Sequence, residues 1–389
     1  MKRERLVVLD ALRAVAGLTV PLFHLCEAFS QDPTLGMVFY CGHGYLAVEF
    51  FLLLMGYMLG YAYDGRWKSG MGTLRFFRQR LVRLHPLVIS GVLLGLALAF
   101  VQLWMGTEIL PWLVGMDSGD LLLWALWAMT MVPVFASDLL NPFNACSWTL
   151  YYEYAANILY GLFVRRLSQK VLGALTLVAL FLWLSCVFHW NLNGVFGTRL
   201  PLFDRAAALT NMSIVTGWST DPLQVFVAFV RLGLPFLLGL FLSRTGWRIR
   251  LPKGALWISL AVFAVMLYMP TPCALGGPDH LWVHGAFELL AVAVVFPGLL
   301  LVGVGAGTEA KGAAVWAFLA ELSYPLYMSH YMFAHGLGIW VAAHGAEHAM
   351  PVLLLVQAAA YIFFLALACL VMWGWDRPIQ AFFRRRLQH

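Results

Sequence analysis

Arg13 and His24 stand eleven residues apart in LDALRAVAGLTVPLFHL, residues 9–25, a stretch that is otherwise almost wholly apolar. On a helix, eleven steps of ~100° bring the two side chains within ~20° of one face and separate them by ~16 Å along the axis. A guanidinium there offers a fork of donors to phosphate or carbonyl oxygen, and an imidazole offers a group that takes and returns a proton near neutral pH. Ionisable side chains inside apolar segments are costly and mark a wet cavity, a relay or a ligand. Glu49, Glu153, Arg231 and Glu288 also interrupt apolar runs. A further cationic group, Arg75, Arg78, Arg80 and Arg83, fills LRFFRQRLVRLHP at 74–86. Its pairs are three apart and share a helix side, and repeated guanidinium groups suit a polyphosphate. The same arginines serve equally well as an ordinary cytoplasmic anchor.

The elements that must position these residues are membrane spans. The chain has 389 residues, 62% hydrophobic and 11% charged, where soluble domains carry about 25% charge. Apolar stretches long enough to cross ~30 Å of hydrocarbon recur from end to end, and no ten-residue alternating segments of the barrel kind are evident. The expected fold is therefore all-α, a polytopic transmembrane bundle forming a single integral-membrane domain over 1–389. The basic start, MKRER, resembles a signal peptide, but no small-residue cleavage site follows, so the segment is read as a retained first span. A net charge of +6 does not point to nucleic acid, because the basic residues are dispersed over short loops. The six cysteines form no CxxC pair and read as small core residues.

Eleven apolar segments can be marked, at about 7–29, 44–63, 86–105, 120–136, 146–164, 171–190, 223–243, 254–270, 282–304, 316–341 and 351–373. Lysine and arginine favour cytoplasmic loops, and this decides which segments cross. If 120–136 does not cross, both termini are cytoplasmic, only Arg199 and Arg205 fall outside, and only Arg13 and Arg231 lie within spans. About ten spans are expected, with 120–136 re-entrant or surface-lying. That topology puts His24, Glu49, Glu153, Arg231 and Glu288 at one depth in the outer half, which points to a shared cavity, and Arg13 near the cytoplasm.

At these residues the sequence resembles the membrane-bound acyltransferase type 3 family over nearly its whole length. The likeness rests on Arg13 and His24 in the opening span and on GYLAVEFFLLLMGYMLG at 44–60, with Glu49 as the acid and Met55 where serine is common. It continues through RFFRQRLVRLHPL, through SWTLYYEY at 147–154 with Trp148, Thr149 and Glu153, and through LSYPLYMSHYMF at 322–333 with Tyr324, Tyr327 and His330. The resemblance implies transfer of an acyl group, most often acetyl, from cytoplasmic acyl-CoA to a sugar, polysaccharide or lipid-linked saccharide on the outer side, in a bacterial inner membrane. On that reading His24, Glu49 and Glu153 are catalytic. His24 is the base, Glu49 orients it, and acyl-His24 is a second route. Arg13, Arg75, Arg78, Arg80 and Arg83 bind the acetyl-CoA or other acyl-CoA donor. Trp148, Arg231, Tyr327 and His330 bind acceptor, with Glu153 and Arg231 bracing each other or shaping its pocket. Tyr152, Asn157 and His330 are candidate oxyanion donors, and Trp112, Trp190, Trp218 and Trp282 further candidates to stack on sugar. No metal is expected, since the histidines show no ligand cluster in sequence. The alternative is a transporter or flippase for a lipid-linked sugar, or a proton-coupled carrier, although no inverted repeat is found.

Overall fold

The computed structural model describes residues 6–30, 42–188, 216–251, 253–270, 281–306 and 312–386. Lys2, Arg3, Arg5, Trp190, Arg199 and Arg205 lie outside the described residues. Among those described there is no β-strand, only an isolated bridge between Leu139 and Ser219. In hydrocarbon every backbone polar group must be satisfied within the protein, and helices do this residue by residue.

The helices are α1 Val7–Phe29, α2 Ala47–Lys68, α3 Thr73–Met105, α4 Ser118–Met129, α5 Trp148–Leu162 and α6 Gln169–Val187. They continue as α7 Pro222–Thr245, α8 Ala255–Tyr268, α9 Trp282–Gly305, α10 Ala313–Ser329, α11 Tyr331–His344 and α12 Met350–Arg386. Seven of them are long and apolar enough to cross a membrane. The helix within the 120–136 segment, α4, has 12 residues. At ~18 Å it falls short of a ~30 Å core. Leu121, Ala125 and Ala128 are buried on one side of it, with Val92, Leu96 and Ala99 of α3 in the same cluster.

Helix α1 is the hub, touching α2, α8, α9, α10, α11 and α12. This explains how an otherwise apolar helix carries Arg13 and His24, because neighbours surround it. Helices α2 and α7 form another tight pair. A Cβ on Gly56 would strike the Phe236 carbonyl, and one on Gly239 the Leu53 carbonyl, so a glycine on each helix lets backbone meet backbone.

The segment 316–341, read as one span, is two helices that meet at His330. The ring itself accounts for the break. His330 Nδ1 lies 2.9 Å from the Leu326 carbonyl, the acceptor that a continuous helix gives to the His330 backbone N–H. Helices α3 and α12, at 33 and 37 residues, are ~50 and ~55 Å long and exceed the hydrocarbon thickness. Their ends extend past it, and those ends carry Arg75 to Arg83 and Arg384 to Arg386.

Candidate active site

His24 lies on α1 with a side chain one-fifth exposed. Its Nδ1 is 2.6 Å from Glu27 Oε2, three residues on along the same helix, and Glu27 is half exposed. A carboxylate only accepts, so Nδ1 carries a proton, and in the neutral ring Nε2 keeps its lone pair. Nε2 points to the Cys146 thiol at 3.9 Å. The imidazole stacks on His330 at 5.3 Å between centroids and meets Tyr331 edge-on at 4.9 Å.

The buried acid Glu49 is elsewhere. Arg231 Nε donates to Glu49 Oε1, with the two side chains 2% and 0% exposed. Arg231 Nη1 donates to the Thr216 carbonyl at 3.1 Å, and the guanidinium covers Trp148 at 4.8 Å. The expectation that Glu49 orients His24 is therefore corrected, since Glu27 holds that place and Glu49 ties α2 to α7. Trp148, expected to stack on sugar, stacks on Arg231.

Glu153 also moves. It accepts from Arg80 Nη2 at 2.8 Å, not from Arg231, and lines an interior cavity of about 660 Å³. Arg13, Arg80, Arg83, Tyr324 and Tyr327 share that lining, and Arg80 Nε is buried with no protein partner. A second cavity of about 800 Å³ is lined by Arg66, Arg75, Arg83, Gln380 and Arg384. Tyr63, Arg66 and Arg83 line both, so the two adjoin. Arg78 is exposed and lines neither cavity, which corrects its grouping with the other arginines. Three apart on a helix is only an approximate alignment.

The interior cavity stops short of His24. Its upper lining includes Thr149, Leu150 and Tyr327. Tyr327 Oη is 2.8 Å from Thr149 Oγ1 and donates to the Cys146 carbonyl at 2.6 Å. A layer of hydrogen-bonded side chains thus separates the cavity from the imidazole. Arg13 shares the cavity with residues of α5 and α10, and His24 meets Cys146 just before α5 and His330 just after α10, in keeping with their shared helix face.

The single layer of charges expected in the outer half resolves into separate clusters, because depth along a helix does not fix the direction a residue faces. Glu288 accepts from Tyr45 Oη at 2.5 Å and lies 3.2 Å from His284 Nε2. His43, beside that group and outside the spans, has its pKa pushed down to about 4 by burial and is neutral at pH 7. His330 Nδ1 donates to Leu326, so its bare Nε2 removes it as an oxyanion donor in the neutral form.

Sequence reasoning missed Glu27 and Cys146. The i, i+3 spacing of His24 and Glu27 was a usable signal. For Cys146, more than a hundred residues distant in sequence, there was none. The expectation that the histidines form no ligand cluster is corrected as well: His24, Cys146 and His330 each offer one donor atom, all within 4.8 Å of one another.

A helical membrane bundle with a cationic interior cavity beneath a carboxylate-oriented histidine has the parts of a membrane group-transfer enzyme. Residues 6–373 match the family model described as an acyltransferase domain, and the chain belongs to that family as an integral membrane acyltransferase. It is also similar to "Protein 2 in picA locus" of Rhizobium radiobacter, at 29% identity over 174 residues, 43% of this chain and 86% of the relative. No solved structure matches.

Proposed function

We propose that the protein transfers an acyl group, acetyl first among candidates, from cytoplasmic acyl-CoA to a hydroxyl of a sugar acceptor at the outer face of a bacterial inner membrane. What supports this is the placement of a cationic cavity and an oriented base on opposite sides of one thin layer. Arg66, Arg75 and Arg83 would take the donor's phosphates, and Arg13 and Arg80 its amide oxygens deeper in the bundle. The thioester would then lie under Tyr327 and Thr149. The acceptor enters from the side where Glu27 and His24 are exposed.

His24 Nε2 accepts the acceptor's hydroxyl proton as that oxygen bonds to the thioester carbonyl carbon. Glu27 holds the ring in the productive tautomer and stabilises the imidazolium. The intermediate then expels the CoA thiolate, which regains the proton from His24. Tyr327 must give up at least one hydrogen bond for the thioester to reach the base.

General-base catalysis is worth about 10² to 10⁴ in rate. His24→Gln is expected to lose at least a hundredfold of the acylation activity while the purified protein still elutes as folded. The assay is labelled acetyl-CoA with proteoliposomes and isolated surface glycan, followed by mass analysis of the glycan. Label transfer by His24→Gln within a few fold of the parent rate refutes the base assignment. No acetyl increment on any glycan in cells carrying the protein refutes the acceptor class.

A further inference from the structure

Three elements bring soft donor atoms to one point. His24 comes from α1, His330 from the junction of α10 and α11, and Cys146 from the turn Ala145–Ser147 that opens α5. One donor atom from each lies within 4.8 Å of the others, and His24 Nε2 is 3.9 Å from Cys146 Sγ. Tetrahedral Zn²⁺, with bonds of ~2.0 Å to nitrogen and ~2.3 Å to sulfur, sets its ligands about 3.3–3.7 Å apart. The His24 imidazole and the Cys146 thiol are within a few tenths of an ångström of that spacing, and the remaining pairs, within 4.8 Å, need to close by no more than about 1.5 Å to reach it.

The outer shell is that of a metal site. Each histidine commits Nδ1–H to an oxygen, His24 to the Glu27 carboxylate and His330 to the Leu326 carbonyl. Such bonds fix the tautomer that leaves Nε2 free to ligate. His330 Nε2 is fully buried with no hydrogen-bond partner, an unmet acceptor where the cluster converges. Asn144 Nδ2 donates to the Met328 carbonyl at 2.8 Å, which holds the Cys146 turn against the end of α10 beside His330. Two imidazoles and a thiol favour a soft ion over Mg²⁺ or Ca²⁺. The partly exposed edge of His24 supplies an entry path and a fourth position.

We propose that His24, Cys146 and His330 form a binding site for a soft divalent cation of the Zn²⁺ class, and that the bound ion silences acyl transfer by occupying the lone pair of His24. Binding displaces the Cys146 thiol proton to solvent. The silencing half rests on the reading of His24 as the base, whereas the site itself does not.

The test uses full-length protein in detergent, stripped with chelator and titrated with Co²⁺ as the probe. One saturating equivalent is expected, giving visible bands of tetrahedral intensity and a near-ultraviolet thiolate-to-cobalt band, both bleached by Zn²⁺. Cys146→Ser is expected to lose the thiolate band. Glu27→Gln, which alters only the outer shell, is expected to weaken binding about ten- to a hundredfold. His344→Ala with His348→Ala, at the exposed end of α11 and just beyond the turn that follows it, leaves the titration unchanged. In the acylation assay Zn²⁺ inhibits reversibly, and Cys146→Ser raises the inhibitory concentration at least tenfold relative to its own metal-free rate.

Absence of the thiolate band in the parent, or its persistence in both Cys146→Ser and Cys146→Ala, overturns the site. An inactive His24→Gln without Co²⁺ binding in the parent defeats the metal proposal alone. Co²⁺ binding in the parent with an active His24→Gln defeats the catalytic reading alone. Co²⁺ binding with Zn²⁺-insensitive acylation defeats the silencing.

Discussion

At the scale of single residues, the two carboxylates Glu27 and Glu49 sit in different surroundings, and these separate them. Glu27 is half exposed and contacts the imidazole. Glu49 is dry and bound to Arg231. A hydrogen bond to a charged partner is worth about 1.5–3 kcal/mol, so Glu27→Gln is expected to lower the acylation rate about ten- to a hundredfold. The thermal midpoint should stay near the parent's, because a half-exposed side chain contributes little to folding. Glu49→Ala should do the reverse of a purely catalytic lesion. It strands the Arg231 charge in a dry interface, which costs about 3–5 kcal/mol, and is read as a lowered midpoint in detergent. Replacing both partners by methionine should recover most of that loss, since an apolar pair of similar volume leaves no buried charge uncompensated. A Glu49→Ala protein that melts like the parent would return Glu49 to the list of candidate catalytic acids.

At the scale of helices, the α2–α7 contact depends on two missing side chains. Gly239→Val would place a branched Cβ against the Leu53 carbonyl, a backbone atom that cannot swing aside. The helices must separate, and the Glu49–Arg231 pair between them must stretch. Overpacking of this kind costs about 1–3 kcal/mol, and the expected outcome is a lowered midpoint and reduced yield in membranes, with Gly298→Ala on α9, where a Cβ meets nothing within 4 Å, as the neutral comparison. The same scale shows what the chain discloses in advance. Apolar length and charge bias were enough to outline α1, α2, α6, α7 and α9 and the apolar parts of α3 and α12, because a span needs little beyond hydropathy. The break at His330 was not legible, since it depends on a ring competing with its own backbone. Periodicity put Arg13 and His24 on one face correctly because that relation is internal to a helix. It could not pair Glu49 with Arg231, Glu153 with Arg80 or His24 with Cys146, because those contacts depend on how separate helices rotate about their axes.

At the scale of the whole molecule, the two ends of the chain's helical order meet at one mouth. Helix α12 begins with the apolar residues 350–371 and runs on until Gln380 and Arg384 face Arg66, Arg75 and Arg83 across the larger cavity. Trp375 Nε1 donates to the Pro86 carbonyl at 2.7 Å, and Arg377 grips Glu321 through two bonds of 2.8 Å. These contacts fix α12 to α3 and α10 close to where the donor would enter. An anchor whose only task is orientation needs positive charge but no particular neighbour, whereas a phosphate clamp needs guanidinium groups that converge. The convergence of arginines from α2, α3 and α12 favours the clamp. Arg384→Ala should then raise the donor KM several fold with kcat nearly unchanged, because the lost contact binds donor equally in ground and transition states. The increment should shrink with added salt, since the cavity mouth is open to solvent and screened over ~10 Å at 0.1 M. Arg78→Ala, equally basic but lining neither cavity, should leave the donor KM where it was. Equal effects of the two substitutions would mean that the mouth senses only net charge, and the clamp would have to be abandoned.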